Sequence, residues 1–486
     1  MTITHDIPPF RMAGNLYFVG TYAASSHMLD TGDGLILIDI GYAESADVVI
    51  DSLSILGYDV ADVKYILLSH GHYDHSDGVP AIVARSGAKV FMFEADNKYL
   101  KGFTPDVYLH DGDVIRLGNT EILCLATPGH TEGTASFFFN ITENGRTYRA
   151  GMFGGAGTKQ LTKAYLDRHG LSYNLRGQFF RSVERLRGEH VDLFVGNHSW
   201  QNHTRENYEK SLTSAENPFI DPTRWGEFLD SVERKLEAVI AEETRTEFVN
   251  YAHRGASEYL PENTLLSFYT GVYMGANGIE TDVRRTKDGT LVLFHDKTLE
   301  RVCIDADGTP VPPEAGGVEA YTYDELQQFS IKKGAYTDKI VRFEDFLRLF
   351  AFRGLTFAIE LKGAGVEEET ADLIRKYGLQ KKAVVTSFKY DYIKAIKAYA
   401  PELRVGWLVK EVTDETIAAL HAIAADEICP QASTVTPELV HAWHREGFRV
   451  RAWGLDRENM KTAIAAGVDG MTVNFPDVLR DYLVRL

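Results

Sequence analysis

Cysteine is scarce in this chain of 486 residues, which contains only Cys124, Cys303 and Cys429. The three residues lie far apart and form no metal-binding or redox motif, so the sequence favours reduced and mostly buried thiols. Basic residues are also in deficit, with 51 Lys and Arg against 69 Asp and Glu and a formal net charge of −18. This negative balance argues against a nucleic-acid partner, because binding to a phosphate backbone needs a basic surface.

Long apolar runs are missing as well. No segment approaches the ~20 apolar residues of a membrane span, and the first residues, MTITHDIPPF, lack the basic and apolar regions of a secretory signal. We therefore expect a cytoplasmic protein without an integral membrane segment. The length suits two domains, and a hydrophobic content of 44% allows both to bury a core. We place their boundary near residue 245, which gives domains 1–245 and 246–486.

A pair of acidic residues distinguishes the segment from Tyr251 to Arg301. The run GIETDV is typical of a short strand, in which Glu280 and Asp282 lie two residues apart and project to the same face. Two buried carboxylates on one face repel each other unless a cation lies between them. Oxygen ligands alone suit Mg²⁺ or Ca²⁺ better than zinc. The sequence therefore predicts a site for a hard divalent cation.

Two histidines end apolar runs on either side of this pair. His253 follows one strand-like run and His295 follows another, LVLF, so both rings can point into one pocket as a general acid and a general base. Arg254 adds a forked donor that suits a phosphate. The pattern leaves open which histidine is the acid.

The region from Glu247 to the C-terminus resembles the glycerophosphodiester phosphodiesterase family. The motifs HRG, PENT, IE-x-DV, KDG and HD occur in order, and AIELK follows at Ala358 to Lys362. The resemblance implies a hydrolase that releases glycerol 3-phosphate and an alcohol from a small phosphodiester. It also implies that one Mg²⁺ or Ca²⁺ is held by Glu280, Asp282 and Glu360, that the catalytic pair is His253 and His295, and that the phosphate is bound by Arg254 and Lys362.

Strand-like runs alternate with helical patterns after Glu247, which predicts a (β/α)8 TIM barrel. The nine runs are Phe248–Ala252, Gly278–Val283, Leu291–Phe294, Thr356–Leu361, Ala383–Thr386, Arg404–Leu408, Glu427–Cys429, Arg449–Trp453 and Gly470–Val473. The second and third are joined by RRTKDGT, which is too short for a crossover helix, so we expect an antiparallel hairpin. Cys303 to Asp338 is predicted to be a loop with a brief helix. Trp453 is a candidate wall of the substrate pocket, although a Trp that caps the core fits equally.

The first half of the chain contains a second cluster of ligands. In KYILLSHGHYDHSDG, a buried strand leads directly into His70, His72, Asp74 and His75. Four potential ligands within six residues at a strand end are far outside chance. Imidazole combined with carboxylate favours zinc.

This half resembles the metallo-β-lactamase superfamily, whose later motifs occur here as ATPGHTEG with His130 and LFVGNHSW with His198. The resemblance implies an αββα sandwich that binds two zinc ions. PFRMAGNLYFVGT and NPFIDPTRW are similar to the subclass with one three-His site and one Asp-His-His site. By this resemblance the first zinc is held by His70, His72 and His130, and the second by Asp74, His75 and His198. Asp74 is also a candidate catalytic residue.

One departure from the superfamily concerns the reaction. Many phosphodiesterases and thioesterases of the superfamily carry a metal-bridging Asp in an A/T-G-D motif, where this chain has Met152 in YRAGMFGGAG. Because Met cannot bridge two zinc ions, hydrolysis of an ester, lactone or amide is favoured for this half, which makes the chain a bifunctional metallohydrolase. Two alternatives stay open: a second phosphodiesterase that opens a cyclic phosphate, and a non-catalytic gating or docking module.

Three other polar residues fit structural roles. His441 and His444 lie three apart on a predicted helix, and we interpret them as part of a solvated face because no third ligand accompanies them. Glu262 of PENT is either catalytic or favoured near the start of a helix that Pro261 begins.

Overall fold

Two groups of β-strands and their hydrophobic cores organise the chain. The computed structural model describes residues 5–485, apart from the side chain of Arg245. One compact unit comprises the residues up to Tyr165 together with Leu175–Ala238, and the other comprises Leu166–Asn174 and the residues from Val239 onwards. The boundary near residue 245 stays a prediction. Among the residues described, no helix is both long and apolar enough to cross a membrane.

The strands of the first unit form where apolar runs alternate with turns. In chain order they are β1 Phe10–Ala13, β2 Leu16–Phe18, β3 His27–Asp30, β4 Leu35–Ile38, β5 Val63–Leu67, β6 Lys89–Met92, β7 Val107–Tyr108, β8 Asp113–Leu117, β9 Thr120–Ala126, β10 Ala135–Glu143, β11 Arg146–Phe153 and β12 Leu193–Phe194. β1 to β7 form one sheet in chain order, antiparallel up to β4 and parallel from there on. The other sheet has the order β12-β11-β10-β9-β8.

Helices lie between and after these strands, and some of them pack on the outer faces of the sheets. In the first half of the chain they are α1 Ser45–Ile55, α2 Tyr73–Ser76, α3 Val79–Ser86, α4 Lys163–His169, α5 Asn174–Arg187, α6 Thr204–Ser211 and α7 Thr223–Thr246. Phe18 of one sheet and Phe137 of the other lie in the core between the sheets. Val49 of α1 packs on the outer face of the first sheet, and the ring of Trp225 of α7 lies 5.9 Å from that of Phe138 on the second. The predicted αββα sandwich is confirmed.

The second unit is built on parallel strands whose apolar side chains are buried on both faces. Its strands are β13 Val249–His253, β14 Gly278–Arg285, β15 Leu291–Leu293, β16 Cys303–Ile304, β17 Ser330–Lys333, β18 Tyr336–Asp338, β19 Thr356–Leu361, β20 Ala383–Ser387, β21 Arg404–Val409, β22 Glu427–Pro430, β23 Arg449–Ala452 and β24 Gly470–Val473. Its helices are α8 Leu265–Tyr273, α9 Tyr323–Leu326, α10 Phe343–Phe350, α11 Glu367–Lys376, α12 Tyr390–Tyr399, α13 Asp414–Ala422, α14 Pro437–Arg445, α15 Asn459–Ala465 and α16 Pro476–Leu483.

Parallel pairing closes these strands into a barrel. The order is β13-β14-β19-β20-β21-β22-β23-β24, and β24 pairs again with β13. β15 lies outside this ring as the antiparallel partner of β14, with Val283 opposite Leu293. The predicted TIM barrel and its extra hairpin are therefore confirmed.

The segment from Cys303 to Asp338 differs from the prediction of a loop. β16, β17 and β18 form a small antiparallel sheet there, over a hydrophobic cluster that includes Val311, Phe329 and Ile331. Strands of two to four residues carry too little periodicity to be recognised, and the Pro and Gly residues beside them favour a loop.

Candidate functional site

Strand register brings three carboxylates together at the carboxyl end of the barrel. Asp282 on β14 lies opposite Glu360 on β19, and Glu280 lies opposite His253 on β13. Each of Glu280, Asp282 and Glu360 offers an oxygen, and these oxygens all lie within 4.8 Å of one another. All three residues are buried. The described residues thus contain the acidic cluster that the sequence predicted.

Two basic side chains lie against this cluster. The Nε of Arg254 is 3.1 Å from Oδ2 of Asp282, and the Nζ of Lys362 is 2.5 Å from Oε1 of Glu360 and 3.4 Å from Oδ1 of Asp282. Arg254 has a φ of 54°, a left-handed conformation that a non-glycine residue adopts only at a cost. This conformation lets its own N–H donate to the carbonyl of Glu280.

The three carboxylates fit a divalent cation. Burial, together with the charges of Asp282 and Glu360, raises the pKa of the Glu280 carboxyl well above its ordinary value. The Oδ1 of Asp282 is buried and has no hydrogen-bond donor among the described residues. A cation bound by all three carboxylates would offset the repulsion between their charges and would give Oδ1 of Asp282 a partner. A donor set made only of oxygens suits Mg²⁺ or Ca²⁺.

The two predicted histidines point towards this cluster and have different partners. Nδ1 of His253 lies 2.5 Å from Oδ1 of Asn474, and Nδ1 of His295 lies 2.5 Å from Oδ1 of Asp296. With these oxygens as acceptors, each ring donates from Nδ1 and turns Nε2 towards the pocket. Burial lowers the pKa of His253 to about 3, and the charge of Arg254 acts in the same direction.

An open pocket of about 290 Å³ joins these groups. Its polar side includes both histidines, and its apolar side includes Phe388, Leu408, Trp453 and Leu455. Nε1 of Trp453 donates to the carbonyl oxygens of Val409 and Cys429 at 3.2 and 3.0 Å, so the indole offers its ring rather than its N–H to the pocket. Trp453 is therefore placed where the sequence predicted a pocket wall.

Glu262 lies beside the pocket as part of an ion-pair network. Its Oε1 is 2.9 Å from Nη1 of Arg254 and 2.5 Å from Nη2 of Arg301. The alternative that Pro261 begins a helix is wrong, because α8 begins at Leu265 and is capped by the hydroxyl of Thr264. Thr264 caps the helix instead because its side chain can accept the N–H of Ser267.

The predicted three-His site also converges in space. His70, His72 and His130 each offer a ring nitrogen, and these nitrogens lie within 4.8 Å of one another. His70 follows β5, and His72 precedes α2. Burial lowers the pKa of His72 to about 4 and that of His130 to about 3, so both rings are neutral and can act as ligands.

The second predicted zinc site adjoins the first. Asp74 and His75 form a further group with His70, and Nε2 of His198 lies 3.9 Å from Oδ2 of Asp74. Nδ1 of His198 is 2.6 Å from the carbonyl oxygen of Ala23, which directs Nε2 towards Asp74. Nε2 of His75 is buried without a hydrogen-bond partner among the described residues, and a metal ion at this point would supply one.

Met152 and His444, two residues interpreted from the sequence, lie outside these clusters. Met152 is fully buried in the core between the sheets, and lies opposite Phe137. The interpretation of His444 as solvated is wrong, because its side chain is 13% exposed and its Nε2 lies 2.8 Å from Asp469. The spacing of His441 and His444 could not reveal this carboxylate, which precedes β24.

Comparison with known proteins identifies the family to which the barrel is similar. The sequence model of the "Glycerophosphoryl diester phosphodiesterase family" matches residues 253–478. A Caldanaerobacter subterraneus protein named "Glycerophosphodiester phosphodiesterase" is 31% identical over 238 residues, which cover 47% of this chain and 94% of that protein. The chain belongs to this family. A Bacillus altitudinis protein of the same name is 31% identical over 242 residues, again 47% of this chain and 94% of that protein.

The first half of this family member matches a second sequence model. The "Metallo-beta-lactamase superfamily" matches residues 19–143. Among solved structures, the native FEZ-1 metallo-β-lactamase of Legionella gormanii is similar at 26% identity and a TM-score of 0.47, over 50% of this chain and 98% of that chain. The predicted fusion of a metallo-β-lactamase domain with a glycerophosphodiester phosphodiesterase domain is confirmed.

Sequence reasoning missed the carboxylates that orient the zinc-site histidines. Asp39 follows β4, and its Oδ2 accepts from the hydroxyl of Ser69 at 2.6 Å and lies 2.8 Å from Nδ1 of His75. Asp96 accepts from the N–H groups of Gly71 and Gly133 and so joins the loops that carry His72 and His130. A single Asp after an apolar strand has no distinctive spacing, although LILIDIGY does place Asp39 at a strand end.

Proposed function

We propose that the barrel hydrolyses glycerophosphodiesters to glycerol 3-phosphate and an alcohol. The observation that carries this proposal is the cluster of Glu280, Asp282 and Glu360, which lies between two basic side chains and two histidines in one pocket. Named relatives that match nearly their whole length to this chain support the substrate class. The substrate is a small molecule, since the pocket opens within a single barrel.

Different residues of the pocket bind different parts of the phosphodiester. Glu280, Asp282 and Glu360 would hold Mg²⁺ or Ca²⁺, which supplies positive charge to the phosphoryl oxygens. Arg254 and Lys362 line the same pocket and bind the remaining oxygens, because a guanidinium and an ammonium both donate to an anionic ester. The ring of Trp453 packs against the alcohol or glycerol part.

The partners of the two histidines support different roles for the two rings. His253 donates from Nδ1 to the neutral amide oxygen of Asn474, so its Nε2 takes a proton from the attacking hydroxyl or water. His295 has the carboxylate of Asp296 at Nδ1, which orients Nε2 towards the pocket, so in this proposal Nε2 gives a proton to the leaving alcohol. His253 is therefore the base and His295 the acid in this proposal.

The test uses the full chain and glycerophosphocholine, with glycerol 3-phosphate measured as the product. His253→Gln and His295→Gln are each expected to lower kcat by about 100-fold or more. His295→Gln should recover with a diester of p-nitrophenol, because that leaving group departs without a proton, whereas His253→Gln should not. His110→Gln is the control, since His110 is 86% exposed. Lack of glycerol 3-phosphate with the wild-type chain and either cation contradicts the proposal.

For the first half, we propose hydrolysis of an ester, lactone or amide. Six side chains in two adjoining sets, namely His70, His72 and His130 with Asp74, His75 and His198, support it. Zinc ions held there would act as Lewis acids on a carbonyl and on water. Asp74 belongs to the second set, and its Oδ2 lies 3.6 Å from Nε2 of His75 and 3.9 Å from Nε2 of His198, so in this proposal it accepts a proton as well as binding metal. Met152, buried in the core, supports this class over a phosphodiesterase.

A substrate panel in an inactive-barrel background tests this second activity. In His253→Gln, an aryl ester, a lactone and a glycerol cyclic phosphate are compared, with and without the further change His72→Gln. Turnover of the ester or lactone that His72→Gln abolishes supports the proposal. Turnover of the cyclic phosphate alone would support the second phosphodiesterase. No turnover of any of the three by zinc-loaded protein would support a non-catalytic module.

A further inference from the structure

Arg301 contacts two carboxylates next to the barrel pocket. Its Nη1 and Nη2 donate to the two oxygens of Glu262 at 3.0 and 2.5 Å, and its Nε donates to Oδ2 of Asp296. One guanidinium thus binds two carboxylates through three donors. Both carboxylates are mostly shielded, with exposures of 15% for Glu262 and 19% for Asp296, while Arg301 is 49% exposed.

Each carboxylate leads to a different part of the proposed active site. Glu262 also accepts from Nη1 of Arg254, the cation proposed to bind phosphate. Asp296 uses its other oxygen, Oδ1, for Nδ1 of His295, the proposed acid. Charges therefore alternate in sign along one continuous chain from Arg254 through Glu262 and Arg301 to Asp296, which contacts His295.

The chemistry of the side chain explains why arginine stands at the centre. A guanidinium presents five donors in a fixed plane, so it can pair with Glu262 through one edge and with Asp296 through Nε. Lysine offers one compact charge and could bind both carboxylates only through hydrogen bonds with unfavourable angles. Burial alone would raise the pKa of the Glu262 carboxyl, but its bonds to Arg301 and the charge of Arg254 hold it below the ordinary value.

We infer that Arg301 is a positioning residue that fixes the phosphate-binding Arg254 and the proton-donating His295 in one geometry. The inference rests on the proposed function of the barrel, since it assigns Arg301 to that reaction. Arg301 is not among the residues that line the pocket, so the role inferred for it is one of positioning. Its loss removes the link between Glu262 and Asp296, which then keep only their contacts with Arg254 and His295, and a displacement of about 1 Å in a reacting group costs roughly 100-fold in rate.

The experiment compares Arg301→Met, Arg301→Lys, Asp296→Asn and the double variant Arg301→Met/Asp296→Asn in the full chain, with glycerophosphocholine as substrate. Arg301→Met is expected to lower kcat by about 10- to 100-fold and to raise KM, because both the acid and the phosphate site are disturbed. Arg301→Lys should fall between this variant and the wild type. The double variant should be no slower than the slower single variant, because both changes break the same link to His295.

A second readout does not depend on turnover. The ¹⁵N shifts of His295, assigned by comparison with His295→Gln, report which ring nitrogen carries the proton. Measured at a pH where the ring is neutral, the Nδ1–H form should predominate in the wild type, and in Arg301→Met both forms should be populated. Arg348→Met is the matched control, because Arg348 pairs with Asp345 at 3.2 Å on the exposed surface and is itself 61% exposed.

The outcomes separate this inference from the proposed function. If the wild type does not hydrolyse glycerophosphocholine, the proposed function fails, while the ¹⁵N shifts still test the positioning of His295. A wild-type kcat, KM and tautomer in folded Arg301→Met would overturn the inference and leave the function intact. If Arg301→Met does not fold, Arg301→Lys and Asp296→Asn decide the matter: unchanged kinetics and tautomer in both would equally overturn it.

Discussion

His253 and Glu280 are register partners on neighbouring parallel strands, and Nε2 of His253 lies 3.8 Å from Oε2 of Glu280. Backbone hydrogen bonding between β13 and β14 therefore sets the distance between the proposed base and a proposed metal ligand. A rigid sheet holds both groups, so their separation does not depend on loops. In the proposed mechanism, the barrel thus supplies a fixed frame on which proton transfer and charge neutralisation act at the same phosphate.

Metal content is the first prediction. The full chain is expected to bind two zinc ions and one Mg²⁺ or Ca²⁺, measured by elemental analysis after dialysis against each metal. Glu360→Gln should lose only the oxygen-bound cation, because it removes one of three carboxylate ligands, whereas His130→Gln should lower only the zinc content. Glu344→Gln, which alters an exposed pair with Lys376 at 2.5 Å, is the control. Retention of all three ions by Glu360→Gln contradicts the assignment of the carboxylate site.

Lys362→Met should weaken phosphodiester hydrolysis. The ammonium contacts Glu360 and Asp282 and lines the pocket, so its removal takes away a charge-assisted contact to the phosphate. We expect kcat/KM to fall by about 10- to 100-fold, which corresponds to roughly 1.5–3 kcal/mol for a hydrogen bond to a charged group. Steady-state kinetics measure this change. Lys376→Met removes a Lys–Glu pair of the same 2.5 Å length on the surface and should leave kcat/KM unchanged.

Asp39→Asn should weaken zinc binding in the first half. Asp39 contacts His75 directly and reaches His70 through Ser69, whose hydroxyl lies 3.1 Å from Nδ1 of His70. Loss of a carboxylate that orients metal-bound histidines costs about 10- to 100-fold in affinity. Competition with a chelating dye measures the zinc dissociation constant. Asp51→Asn is the matched control, since Asp51 pairs with His5 at the same 2.8 Å distance elsewhere; an equal loss of affinity in both variants would contradict a specific role for Asp39.

Asp469 should make the barrel sensitive to acid. Burial alone would raise the pKa of this carboxyl, but His444, Arg449 and the N–H of Val450 hold it well below its ordinary value. A depressed pKa in the folded state stabilises the protein above the unfolded pKa of about 4, and this stability is lost as the pH falls further. Hydrogen exchange of β24 amides measures the free energy of unfolding against pH.

Asp469→Asn should lower that free energy at pH 7 by roughly 1–3 kcal/mol and flatten its decline below pH 4. Asp345→Asn, an exposed change that alters a pair with Arg348, should follow the wild-type curve. A curve for Asp469→Asn that runs parallel to the wild type in acid would rule out this source of acid sensitivity.

Much of the barrel could be predicted because each of its strands is encoded by a short run of neighbouring residues. Each of the nine predicted runs overlaps an observed strand, and the short connection RRTKDGT correctly predicted the β14–β15 hairpin. Apolar runs of this length are buried on both faces of a parallel sheet, so they are easy to recognise. The small sheet of β16, β17 and β18 was not predicted, since its strands gain their stability from a hydrophobic cluster that forms only in the folded chain.

The supporting residues of both sites were harder to predict. Asn474 is 221 positions from His253, and Arg301 is 39 positions from Glu262. No periodicity or motif spacing joins such residues, because their contact depends on how the strands close into a barrel and how the following loops return. The same holds for His444, whose partner Asp469 lies on a different strand connection.

The sequence by itself determined the two sets of ligand side chains and the alternation of strands and helices, because residues two apart on a strand share a face and apolar periodicity predicts burial. Only the tertiary structure decided which polar groups contact those side chains and that Arg301 pairs with Glu262, the partner of Arg254, and with Asp296, the partner of His295. The physical reason is that hydrogen bonds and ion pairs between distant residues exist only after the strands have paired in register and brought the charges within about 3 Å.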